Sequence, residues 1–178
     1  MAQNGVAVRE YRGKRLEYHS GKTFDDVLAS LRALVGNTTI QKVVSHGANG
    51  ATREQFEKSV REHEGESGFM LFQEVDHGMW LQAYGIKRKV LRWILGNPLI
   101  AITMLQHDIR AGLFAPVEFM LTENEGGQGC TVIYDLPSSL MVIEENPRLL
   151  EAAQALDKKL AALISRATGI VAGAPAAP

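Results

Sequence analysis

The longest apolar stretch of the chain, residues 93–105, is broken in its middle by Gly96-Asn97-Pro98. It falls well short of the roughly 20 apolar residues that a helix needs to cross a bilayer. The triplet also sets what the two halves become. Asparagine caps helix N-termini well, and proline fits the first helical position, where its missing N–H costs nothing. The run therefore reads as a strand over 90–95 followed at once by a helix reaching about Gln106. A chain built this way must bury a strand and a helix against one core. Asn146-Pro147 repeats the same helix start before a last helix.

Other segments extend the pattern. Residues 15–18 read as a first strand. Thr23 caps a helix whose face is Phe24, Val27, Leu28, Leu31, Leu34 and Val35, and Gly36 stops it. Residues 37–50 are weakly patterned. Thr52, with Gln55 at the capping-box position, opens a surface helix that ends by Gly65. Residues 68–75 read as strand, Asp76-His77-Gly78 as a turn, and residues 79–84 as more strand. Val117, Phe119 and Leu121 alternate with Glu118, Met120 and Thr122, the period of a half-buried strand. Residues 124–129 form a glycine-rich hairpin turn, and 130–134 the returning strand. Leu149, Leu150, Ala153, Leu156, Leu160, Leu163 and Ile164 give the final helix its core face, ended by Gly169.

The order strand, helix, strands, helix, rich in hairpins, predicts an α+β fold: a mostly antiparallel sheet with helices packed on one face. We expect one domain over residues 1–169 of the 178, with a helical insertion at 37–65 and a disordered tail at 170–178. The charge balance of 19 Lys+Arg against 20 Asp+Glu gives no reason to expect nucleic acid or a membrane as partner. Lys87-Arg88-Lys89 with Arg92 is a local cationic run, read as a solvated strand edge rather than a phosphate patch. Cys130 is the only cysteine, which fits a reducing, cytoplasmic compartment and excludes a zinc-type cysteine cluster. Residues 1–11 lack the apolar centre of a secretory signal.

Ordered along the chain are Val75-Asp76-His77-Gly78, Leu95-Gly96-Asn97-Pro98, Met104-Leu105-Gln106-His107-Asp108, Leu113-Phe114-Ala115-Pro116 and Tyr134-Asp135-Leu136-Pro137-Ser138-Ser139. This series resembles the bacterial family called domain of unknown function 302, in its longer variant, over roughly residues 23–167. The resemblance implies a compact α+β fold and a tendency to form homodimers. It implies no accepted reaction and no cofactor. The short form of the family has a small-residue, helix-like segment after Asp76-His77, where this chain has the bulkier Met79-Trp80-Leu81.

Candidate chemistry centres on His77. Imidazoles titrate near neutral pH, and Met79 to Tyr84 supply an apolar wall able to exclude water. Asp76 is a poor orienting partner, because neighbours on extended chain point to opposite faces. His107 and Asp108 end the embedded helix. Asn97 begins it, and Tyr134 and Asp135 end the last strand. Together with Trp80, Tyr84 and Met104 these residues are the candidate ligand site. The reading is a small amphipathic ligand or a protein partner held in a cleft near His77. The alternative is an enzyme, or a metal or haem protein, using His77 with His107 or Asp108; no short metal motif supports it. Ser138 lacks a nucleophile elbow, which disfavours a serine hydrolase.

Overall fold

The computed structural model describes residues 5–48 and 50–171. Its strands are β1 (Arg15–Ser20), β2 (Gly36–Asn37), β3 (Met70–Asp76), β4 (Val90–Gly96), β5 (Val117–Glu123) and β6 (Cys130–Asp135). Its helices are α1 (Phe24–Leu34), α2 (Ile40–Ala48), α3 (Arg53–Arg61), α4 (His77–Leu81), α5 (Pro98–Leu105), α6 (Pro137–Met141) and α7 (Pro147–Thr168). The strands form one sheet in the order β1-β6-β5-β4-β3-β2. All neighbours are antiparallel except β2 and β3, which run parallel.

Alternation along the strands sorts the two faces. Tyr18, Leu91, Trp93, Leu95, Phe119, Leu121, Val132 and Tyr134 point into the core. There they meet Val27 and Leu31 of α1 and Leu149, Leu156, Leu160 and Leu163 of α7. Arg15, Glu17, His19, Glu118 and Arg92 stand on the other face, where their polar ends reach water. A smaller cluster of Val43, Val60 and Met70, with Phe56, Phe72 and Leu99 against it, fastens α2 and α3 to the start of β3.

The helix starts follow their capping residues. Asn97 accepts from the Leu99 amide at 2.8 Å, and Asn146 from the Leu149 amide at 3.1 Å. Thr52 and Gln55 form the reciprocal capping box. Two expectations are corrected. Residues 79–84 are not strand. Asp76 turns its carboxylate onto the Met79 amide at 3.1 Å, which starts α4, and a 3-10 turn over Gln82–Tyr84 carries the chain to Gly85 in the left-handed region. The cationic run is not at a sheet edge, because β4 lies between β3 and β5. Three of its four cations have partners: Lys89 on Asp25, Arg88 on the Glu123 carbonyl, Arg92 on Glu118. Residues 40–48, weakly patterned in sequence, form α2. Of the tail 170–178 only Ile170 and Val171 lie within the described residues.

Candidate functional site

His77, Asn97, Asp108, Tyr134 and Asp135 are each held by neighbours of their own. His77 begins α4, and its Nδ1 accepts from the Trp80 indole N–H at 3.2 Å. Trp80 and Tyr84 continue an edge-to-face row, with ring centroids 5.9 and 6.2 Å apart. Tyr84 is 78% exposed, so this row is a ridge on the surface and not the wall of a cleft. Asp108 caps the 3-10 turn Ile109–Phe114 and clamps Arg110 through both carboxylate oxygens. Arg110 continues to Glu144, and Glu144 to Arg9. The cations hold the Asp108 and Glu144 carboxyls below the usual range. The backbone carbonyl of His107 accepts from the Asn146 amide.

Tyr134 and Asp135, adjacent in sequence, part to opposite faces of the sheet. Asp135 pairs with Arg15 in a two-pronged bond at 2.8 and 2.9 Å. Tyr134 is buried, stacked on Tyr18 with the hydroxyls 3.3 Å apart. Burial first, and the Tyr18 bond second, push its phenol far above the ordinary range.

The sheet separates these groups. β3 runs from Met70, beside Gly96, to Asp76, beside Leu91. At roughly 3.3 Å per residue its ends lie about 20 Å apart. His77 follows one end, while Asn97 and α5 follow the other, so the expected convergence of His77 with His107, Asp108, Tyr134 and Asp135 does not occur. Among the described residues no group of three or more His, Cys, Asp and Glu side chains is placed to hold a metal ion.

Two candidates do meet. Asn97 and Met104 line an apolar slot at the Gly96 end of the sheet, with a cavity volume of about 180 Å³. Phe69, Phe72 and Gly96 supply its sheet side, and Pro98, Ile100, Ala101 and Met104 of α5 a second wall. Val117 of β5 and Pro116 just before it close it, and Ile40, Val43 and Val44 of α2 complete it. Glycine at 96 keeps it open: a Cβ there would stand 3.1 Å from Phe72 Cε2 and 3.4 Å from Pro116 Cβ. Among the described residues no ionisable side chain lines it. Its one polar side chain is spent, for Asn97 donates to Glu64 and to the Gly68 carbonyl while capping α5. Such a site has no converging polar side chains to mark it. The sequence signal was Gly96 and Pro116 flanking an embedded helix with no polar face.

A six-stranded, mostly antiparallel sheet, covered by α1 and α7 and carrying a helix-walled apolar slot at one end, defines an α+β domain. The chain belongs to the family described as domain of unknown function DUF302, whose model matches residues 42–167. The matched span leaves out β1 and α1 and takes in α3 and most of α2. Among solved structures the chain is similar to the uncharacterized conserved protein DUF302 from Bacillus stearothermophilus, at 17% identity and a TM-score of 0.59, covering 86% of this chain and 97% of that one. At that identity the likeness speaks for the fold. No curated protein matches the chain.

Proposed function

We propose that this domain is a binding module that holds a small apolar molecule in the slot between α2, α5 and the end of the sheet. The observation that carries the reading is the slot itself: about 180 Å³ of space, walled by apolar side chains and kept open by Gly96. A dry cavity of roughly 150 Å³ is enough to bind benzene or xenon. This moves the site from His77 to Asn97 and Met104. The enzyme, metal and haem alternatives needed His77 to meet His107 or Asp108, and the separation of those residues removes their support.

Xenon NMR tests the reading. Dissolved xenon should show one saturable, protein-dependent shift. Ala101→Trp, which fills the slot from α5, should abolish it. A shift equal in parent and variant would place the cavity elsewhere and end the proposal.

Assembly as a homodimer is part of the same proposal, supported by the apolar surface of α5. So is a cytoplasmic location, supported by Cys130, which is buried and unpaired. Among the described residues no helix is long and apolar enough to cross a membrane.

A further inference from the structure

Resting on the slot reading above, we infer that the ligand is a neutral, flat aromatic molecule of one or two rings. Its neutrality follows from the slot's hydrogen-bonding capacity. The slot lies at the start of α5, and a helix start ordinarily attracts anions through free amides. Here those amides are occupied. Pro98 has none, the Leu99 amide is on Asn97 Oδ1 at 2.8 Å, and the Ile100 and Ala101 amides are on the Asn97 carbonyl at 3.0 and 2.9 Å. The Asn97 side-chain amide is committed to Glu64 and Gly68. Among the described residues neither a carboxylate nor a phosphate finds a donor or a cation in the slot, so entering it would strip the ion of water without compensation.

The preference for a ring follows from the walls. Phe69 and Phe72 present aromatic surface, Pro116 the apolar face of its pyrrolidine ring, and Met104 a polarisable thioether of the kind that packs on ring edges. About 180 Å³ exceeds the roughly 150 Å³ that accommodates benzene, which leaves room for a fused second ring. A Cβ at position 96 would press on Phe72 at 3.1 Å and touch Pro116 at 3.4 Å, so the slot is narrow where Gly96 lines it.

The test uses the full chain, with the Met104 methyl as a carbon-13 NMR reporter, and three probes of similar size. Indole is neutral and flat, octan-1-ol is a neutral chain, and indole-3-acetate is flat and charged. Indole should shift the Met104 methyl saturably, octan-1-ol should bind more weakly, and indole-3-acetate at least about tenfold more weakly than indole. Octan-1-ol binding more tightly than indole would overturn the aromatic class and leave the slot reading standing. Indole-3-acetate matching indole would overturn the neutral class. Silence from all three would overturn both. Gly96→Ala, confirmed as folded by its backbone amide spectrum, should weaken indole about tenfold. If it does not fold, Ala101→Leu, which narrows the slot from α5, decides in its place. Unchanged indole affinity in the folded variant would mean that the ring lies elsewhere.

Discussion

Asp157 shows how a polar residue in this fold acts locally. It sits on α7, and its Oδ1 accepts the Ser138 amide at 3.0 Å, in the first turn of α6. Burial raises its carboxyl above the ordinary range, against the opposing pull of the Ser138 bond. A raised carboxylate pKa contributes stability that is present below the unfolded-state value and lost as pH rises through the folded value. Asp157→Asn keeps an acceptor for Ser138 and removes the partly buried charge. It should stay within about 1 kcal/mol of the parent at neutral pH and flatten the fall in stability between acid and neutral pH. Asp157→Ala leaves the amide unpaired and should cost about 1–3 kcal/mol. Urea unfolding at pH 4 and pH 7 checks both, and a pH slope unchanged in Asp157→Asn would contradict the assignment. The earlier candidates behave in the same way. Asp76, Asn97 and Asp108 are helix caps, and Asp135 is an ion-pair partner. The sequence shows their residue types and their places at element ends. It does not show that those ends lie at opposite sides of a sheet, because that depends on strand order and length.

Elements whose start signal and apolar face both lie in the local sequence were legible there. Thr23 opens α1, Asn97-Pro98 opens α5 and Asn146-Pro147 opens α7, and in α1 and α7 the apolar spacing names the buried face. Leu31, fully buried in α1, belongs to that face. Leu31→Ala should cost about 2–5 kcal/mol in chemical denaturation, and a loss under about 0.5 kcal/mol would mean that α1 buries another face. Elements that depend on distant partners were not legible. α2 offers only Ile40, Val43 and Val44, and its anchor is Val60 of α3 with Met70 of β3. α4 carries Trp80, a residue enriched in strands, yet the Asp76 cap on the Met79 amide starts a helical turn, and Gly78 lets the chain pass close to the Arg88 carbonyl. The slot was illegible for the same reason, since its walls come from α2, β3, α5 and β5 at once.

At the scale of the whole molecule, α5 has more apolar surface than the chain covers. Seven of its eight residues are apolar, Thr103 being the exception, and Met104 is its one buried residue. A helix apolar on every side is ordinarily buried on every side. Ile102 is 54% exposed, and on the following 3-10 turn Ile109 is 75% and Leu113 81% exposed. The one charged group on that turn, Arg110, is already neutralised by Asp108 and Glu144. A surface without free charge matches a second copy of itself, since interface centres are depleted of charged residues. The homodimer we propose would therefore centre on α5 and this turn. Light scattering at micromolar concentration should give twice the 19.5 kDa chain mass. Ile102→Glu with Leu113→Glu should give the single-chain mass. Because both side chains are exposed, each change should alter the stability of the isolated chain by no more than about 0.5 kcal/mol. A parent protein with the mass of one chain removes the dimer. A double variant that still has the mass of two moves the interface away from α5 and leaves that helix's apolar surface to another partner.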